Sequence, residues 1–421
     1  MDVWIAATVF VVAYALIAIE PFDRTIIALL GALAVIVLGV IDQHEAFAAI
    51  DLNVIFLLAG MMVIAGILAK TGLFEWLAVR SLRLSGGQPM ALLLILATIT
   101  AALSAFLDNV TTVVLIVPVT IAIARRLDVS PVPYLIAQVL ASNIGGTATL
   151  IGDPPNILIG SAAGLDFTAF LVNLAPVTVA IYVAFVVIAY VIWRKRLEVP
   201  SERREAAVEG TEGATITDRP LLVKGLVVSA IVLVGFLTHQ ALGLEAATVA
   251  LLGATVLMLV GRIDAHDALR EVEWRTLFFF VGLFILVEAV VHVGIIGGIA
   301  DWLATQVAGN ETLASMTLLW FSAGASAVVD NIPYTATAIP IVQRLVESGI
   351  PGEALWWSLA LGACLGGNLT LVGAAANVVV ANQASQAGHR IGFFEFMRYG
   401  IIVTVTSLLI ATGYIWVMYL R

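Results

Sequence analysis

The chain has 421 residues, of which 61% are hydrophobic and 12% charged, with a formal net charge of -9 and one cysteine. A soluble domain carries about 25% charged residues, so a soluble enzyme with one large core is excluded in favour of a polytopic membrane protein. The lone Cys364 excludes a disulfide framework and a multi-cysteine metal site.

The first apolar run, Val3 to Ile19, lacks a basic leader region and a clear cleavage site, and reads as a permanent helix. Spans are expected at about 3–20, 25–41, 51–71, 134–160 and 167–193. The run 90–126 is interrupted at "SAFLDNVTTVVLIVPV". The stretch 194–220, "RKRLEVPSERREAAVEGTEGATITDRP", is the one long polar segment and is expected to be a mobile linker. Five further spans follow at about 221–243, 246–262, 275–293, 355–382 and 394–420, with a second interrupted run, 312–344, at "SAVVDNIPYTATAIPI". Each arm of an interrupted run is short, so each run is either two spans with a sharp turn or a hairpin that enters and leaves on one side. Trp274, Trp302, Trp356 and Trp357 read as interfacial anchors.

The two halves repeat. Ile41-Asp42-Gln43-His44-Glu45-Ala46 recurs as Ile263-Asp264-Ala265-His266-Asp267-Ala268. Ser104, Asp108, Asn109 and Pro118 recur at the same offset as Ser326, Asp330, Asn331 and Pro340. "GGTATLIGDPPNILI" recurs as "GGNLTLVGAAANVVV". The expected organisation is a first repeat over 1–193, a cytoplasmic linker over 194–220 and a second repeat over 221–421. With the interrupted runs as re-entrant hairpins, each repeat has five spans, so the second lies inverted. All but Arg344 and Arg421 of the 20 Lys and Arg residues then fall on one side. The positive-inside rule makes that side cytoplasmic and puts both termini outside the cytoplasm. The expected fold is therefore all-α, with ten transmembrane helices in two inverted-topology repeats, each holding a re-entrant hairpin and a broken helix.

Inverted repeats with interrupted helices near the midplane are the architecture of secondary transporters. The stretch "LASNIGGTATLIGDPPNILIG" reads as an unwound helix lining a solute cavity. Gly145, Gly146, Gly366 and Gly367 would let the backbone open. Asn143, Thr147, Thr149, Asn156, Asn368, Thr370 and Asn377 would offer neutral donors and acceptors, beside Asn109 and Asn331 of the hairpins. The bland alternative is that such residues only join helices to one another. Asp153 has no acidic partner in the second repeat, where Ala374 stands, so it is either a special group or a helix cap. Glu288, with His292 one turn on, is either functional or half of a structural pair.

"SNIGGTATLIGDPPNILIG" together with the Asp-Asn hairpin tips resembles the arsenite permease and P-protein branch of the ion transporter superfamily, over nearly the whole chain. The resemblance implies an inverted-repeat fold, elevator-type transport and a dimer in many members. Dicarboxylate symporters of that superfamily typically carry Ser-Asn-Thr at the tips. Here the tips read Asp108-Asn109-Val110 and Asp330-Asn331-Ile332, with no Lys or Arg in either motif. Two carboxylates would repel a dianion, and carboxylates in a low-dielectric cavity suit proton coupling. Asp108, Asp330, Asp153 and Glu288 are the expected coupling residues. The leading expectation is proton-coupled efflux of neutral arsenite or antimonite, with Cys364 as an As(III) contact or simply a small buried hydrophobe. A sodium/proton antiporter or an anion carrier of the same fold is the alternative.

Among other classes, an intramembrane aspartyl protease would need Gly-x-Gly-Asp, and the nearest match, Leu150-Ile151-Gly152-Asp153, lacks the first glycine. His-Glu-x-x-His is absent, which excludes a metallopeptidase of that type. No phosphate-binding Gly-x-x-x-x-Gly-Lys-Ser/Thr loop is present, so an ATPase would be a separate subunit. The expected setting is the cell's inner membrane. The expected partners are a small inorganic solute, protons or sodium, and lipid; no enzyme activity, cofactor or nucleic acid is expected.

Overall fold

Apolar segments in a bilayer must satisfy their backbone polar groups internally, and helices do so within each segment. A computed structural model describes every residue except 20, 21, 196, 198, 210–215 and 308. Its described residues form helices and no strand. The first series is α1 (Asp2–Ile19), α2 (Arg24–Val37), α3 (Gln43–Ala48), α4 (Leu52–Lys70), α5 (Leu73–Leu84), α6 (Pro89–Ser104), α7 (Asn109–Arg126), α8 (Val132–Gly146), α9 (Pro154–Ala163) and α10 (Phe167–Trp193). The short α11 (Ser201–Glu209) follows. The second series is α12 (Arg219–Thr238), α13 (Ala246–Gly261), α14 (Ala265–Leu269), α15 (Trp274–His292), α16 (Ile295–Val307), α17 (Glu311–Val328), α18 (Asn331–Glu347), α19 (Gly352–Gly366), α20 (Ala375–Gln386) and α21 (Phe393–Tyr419). The two series match element for element.

The ten spans are α1, α2, α4, α10, α12, α13, α15 and α21 as single helices, with α8–α9 and α19–α20 as helices broken in the middle. Among the described residues, seven helices are long and apolar enough to cross a membrane. One of them, α7, instead returns alongside α6 as a hairpin arm. The hairpin α17–α18 is its counterpart.

The scarce acidic residues are spent largely on starting helices. The Asp42 and Asp264 carboxylates each accept the backbone N–H two residues on, at 2.8 Å. That is why the Ile-Asp-x-His motif recurs: it is an N-capped short helix in both repeats. Asp51, Asp166 and Asp218 cap α4, α10 and α12 in the same way.

Two connectors were not expected from the sequence. Helices α5 and α16 are repeat mates that join a membrane span to a hairpin, and each buries only one face, Phe74, Ala78 and Leu82 in α5 and Ile296 and Ala300 in α16. The linker also departs from expectation. It contains α11, and Arg203 within it pairs with Asp128 at 2.6 Å. Its residues 210–215 lie outside the described residues. Trp357 corrects its reading as an interfacial anchor: it is buried and meets Phe170 edge-on at 5.2 Å. Trp274 and Trp302 are exposed.

The helices pack as two groups. In the first, α2 lies against α15 and α4 against α13, pairing the two repeats. Repeat mates Gly60 and Gly282 make these crossings close: a Cβ on either would come within 2.7 and 2.6 Å of backbone in Ala250 and Ala28. In the second group each hairpin grips its own broken helix, α6 against α8 and α17 against α19, and α10 packs on α21. The hairpin tips, residues 105–108 and 329–330, meet the two breaks, 147–153 and 367–374, at the centre of this group.

Candidate substrate site at the hairpin tips and helix breaks

The four interruptions converge on a buried polar cradle whose hub is Asp153. The Asn109 amide donates to Asp153 Oδ1 at 3.2 Å, and the Asn331 amide donates to Asp153 Oδ1 and Oδ2 at 3.2 and 3.4 Å. One asparagine from each hairpin tip therefore holds the same carboxylate. Asn143 links the repeats: its oxygen accepts from Asn109 at 3.1 Å, and its amide donates to Asn368 Oδ1 at 3.0 Å and Asn377 Oδ1 at 2.9 Å. The Cys364 thiol donates to Asn156 Oδ1 at 3.4 Å. Asp153, Asn143, Asn156 and Asn368 have no exposed surface, and Asn109 Oδ1 is buried with no hydrogen-bond partner.

The structure exchanges two roles expected from the sequence. Asp108, Asp330 and Asp153 were all expected to be coupling residues, with a helix cap as the alternative for Asp153. Instead Asp108 Oδ1 accepts from the backbone N–H of Val110 and Thr111, both at 3.0 Å, and its other oxygen takes the Thr111 hydroxyl. Asp330 Oδ1 accepts from Ile332 N–H at 3.0 Å. Both tip carboxylates cap the returning hairpin arm, where the helix dipole favours negative charge. Asp153 stands at the start of α9 without capping it.

The glycines and threonines are also placed differently from expectation. Gly145 and Gly146 end α8 in helical conformation, and Gly366 ends α19. A Cβ on Gly145 would come within 2.1 Å of Ala101 O, and one on Gly366 within 2.5 Å of the Ala323 backbone. A Cβ on Gly146 would meet Gly152 O at 2.5 Å, across the break, and one on Gly367 would meet Ala374 at 3.1 Å. These glycines permit close backbone approach rather than unwinding. Thr147 Oγ1 donates to Asn143 O at 2.8 Å, Thr370 Oγ1 to Ala327 O at 2.5 Å, and Thr149 Oγ1 to Ala105 O. The last two staple a break to its hairpin. Asn156 and Asn377 splint the breaks: Asn156 donates to Thr149 O at 2.9 Å, and Asn377 to Gly367 O and Thr370 O at 2.7 and 2.9 Å.

Glu288 does not join the cradle. It sits half-buried near the end of α15, where its charged neighbours are Glu45 and His292. The alternative of a Glu288–His292 pair is not found either: His292 Nδ1 lies 2.8 Å from Glu45 Oε1.

Sequence reasoning missed Arg24. Its guanidinium lies 3.0 Å from Asp330 Oδ2 and 5.1 Å from the centre of the Phe279 ring. It therefore supplies the positive charge thought absent from the tips. A usable signal existed. Arg24 and Asp153 are both charged residues whose repeat mates, Ala246 and Ala374, are alanines. Tyr14 was missed too; its hydroxyl donates to Pro333 O at 3.1 Å and meets Thr337 Oγ1 at 2.7 Å.

Two cavities flank the cradle. One, of about 460 Å³, is lined by Phe22, Asp23, Arg24, Arg275 and the α20 residues Ala375, Val378, Val379 and Asn382. The other, of about 510 Å³, has Asn53, Leu244, Glu245, Ala246, His239 and Asp166 in its wall, with the α9 face from Ile157 to Ser161.

Paired hairpins, paired helix breaks and a buried polar cradle where they meet define a secondary transporter. Residues 14–362 match the citrate transporter family CitMHS, and the chain belongs to that family, within the ion transporter superfamily. The chain is similar to a 46 kDa membrane protein of Mycobacterium leprae, 44% identical over 99% of both chains. It is 43% identical to an uncharacterized transporter of Mycobacterium tuberculosis over 99% of this chain and 98% of the relative. Human P protein is 35% identical and matches 99% of this chain, which spans 60% of that longer protein. The crystal structure of the Alcanivorax borkumensis YdaH transporter superposes with a TM-score of 0.62 at 16% identity, over 99% of this chain and 97% of that one. That likeness concerns the fold. The P-protein side of the resemblance is thus found, and the family model that matches is that of citrate transporters.

Proposed function

We propose that the chain is a secondary active transporter of small multivalent carboxylates of the citrate class, coupled to protons or sodium. One observation carries this reading: the Asn109 and Asn331 amides, one from each hairpin, converge on a carboxylate, and that carboxylate belongs to the protein. A cradle that holds Asp153 in this way is built to hold a carboxylate. Asp153 faces amides and no cation, and a buried unpaired charge is costly. Binding of a proton or a sodium ion at Asp153 would remove the charge and free the tip amides for a substrate carboxylate. That competition would couple the two fluxes.

The argument against an anion loses its basis, because the tip carboxylates are turned onto their helix N-termini and Asp330 is paired with Arg24. Arsenite efflux remains the second reading, favoured by the Cys364 thiol beside Asn156. The division into two helix groups supports elevator motion of the hairpin group against the other, and a homodimer would brace the latter. The setting proposed is the inner membrane, without a need for an ATPase subunit.

Uptake into everted vesicles tests these readings: citrate, succinate and arsenite in parallel, each with and without a pH or sodium gradient. Gradient-dependent citrate uptake is expected. Arsenite accumulation without carboxylate uptake would replace the first reading by the second. The basic residues also orient the chain. An alkaline-phosphatase fusion to the C-terminus is expected to be active outside the cytoplasm, with 194–220 inside; an inactive phosphatase together with a fluorescent cytoplasmic fusion would invert this topology.

A further inference from the structure

We infer that Arg24, assisted by Arg275, is an anion-docking site at one mouth of the transporter only, and that Asp330 occupies it when no substrate is bound. The inference rests on the carboxylate reading above and names a residue set outside the cradle.

The repeats provide an internal control. The two cavities are lined on one side by repeat mates: Phe22, Asp23, Arg24 and Arg275 in one, and Leu244, Glu245, Ala246 and Asn53 in the other. Architecture alone would treat the mouths alike. Both acidic positions are kept, as Asp23 and Glu245. Both arginines are not, since Arg24 corresponds to Ala246 and Arg275 to Asn53. The fold therefore does not require cations at these places, and the two guanidiniums mark one mouth chemically.

Their geometry suits an anion with more than one carboxylate. The Arg24 side chain is 17% exposed and donates through Nη1 to Asp330; among the described residues it has no other hydrogen-bonded side-chain partner. A guanidinium presents five N–H donors in a planar fork, so a single contact leaves bidentate capacity unused. The Arg275 side chain is 75% exposed and pairs with Asp23 at 2.7 Å. Glu273 is a further charged neighbour, with Asp108 near it in turn, so the two cations sit among more carboxylates than they can neutralise and bind an anion only by exchange. The cavity wall ends at Ala375, two residues before Asn377 of the cradle. A carboxylate that replaces Asp330 on Arg24 is thereby set down beside the substrate site.

The test uses the full chain in right-side-out and everted vesicles, with radiolabelled citrate offered at either face. Arg275→Gln is expected to raise the citrate KM about tenfold at the arginine-bearing mouth, the equivalent of one charge-assisted hydrogen bond. The KM at the opposite mouth should stay unchanged, and Arg275→Lys should restore most of the loss. Asp330→Asn, which removes the competitor, should lower the KM at the arginine mouth. A merely structural Arg24–Asp330 tie predicts no sided effect and no tightening. A citrate KM in Arg275→Gln that is unchanged from the unmodified protein at the arginine mouth, or changed equally at both mouths, or a raised KM in Asp330→Asn, overturns the docking site and leaves the transport reading standing. Absence of carboxylate transport in the unmodified protein overturns both.

Discussion

Asp153→Asn is expected to lower gradient-driven transport by at least about tenfold, ~1.4 kcal/mol in the barrier, without unfolding the protein. The carboxylate is the acceptor on which both hairpin tips converge, through Asn109 and Asn331. Hydrogen bonds to a charged group contribute about 1.5–3 kcal/mol each. An asparagine keeps the volume and one acceptor but turns its own N–H₂ toward at least one tip amide. It also can neither take up a proton nor carry a charge, so the residual flux should lose its gradient dependence. Initial rates in proteoliposomes, with and without the gradient, measure both effects, and a melting curve in detergent monitors the fold. Wild-type rate and gradient dependence in this variant would remove Asp153 from the mechanism.

The second large effect concerns packing. Gly145→Ala and Gly366→Ala should each destabilise the protein by about 1–3 kcal/mol, the usual cost of overpacking. The added methyl groups would meet the backbone of Ala101 and Ala323 at 2.1 and 2.5 Å, and backbone has nowhere to move without displacing a hairpin. Gly324→Ala is the control, since nothing lies within 4 Å of its Cβ position. Lower melting temperature and yield in the first two variants, with the control unchanged, are expected. Normal melting with lost transport would instead favour the reading of these glycines as hinges.

Much of the architecture was legible because the bilayer leaves few choices. Span lengths, the repeat and the interruptions at 104–109, 145–156, 326–331 and 366–377 follow from apolarity and from where polar residues break it. What the sequence did not disclose was direction. Asp108, Asp330 and Asp153 are alike in composition, yet two bend back onto a helix start and the third faces the cradle. That difference depends on whether the carboxylate lies within reach of free N–H groups two and three residues on, which only the backbone path decides. Arg24 was missed for another reason: its partner lies 306 positions away. The surface helices α5 and α16 escaped because they bury a single narrow face, and their apolar content falls short of a span.

The two cavities have a further consequence. The walls of each are repeat mates of the other's on both sides. Arg24 and Arg275 stand opposite Val378 and Asn382 of α20, and Ala246 and Asn53 opposite their mates Ile157 and Ser161 of α9. If the hairpin group moves as proposed, interchanging the repeats' arrangements writes down a second state of the same chain. In it the first hairpin advances on the far mouth, Pro154 comes to face Glu245, and Asp108 arrives beside Ala246, where no guanidinium awaits it. The two endpoints would be alike in shape and would differ by one ion pair. On the elevator proposal, the end of the cycle where Arg24 holds Asp330 would keep a contact that the other end lacks, an inequality that the inner symmetry of the polypeptide brings to view.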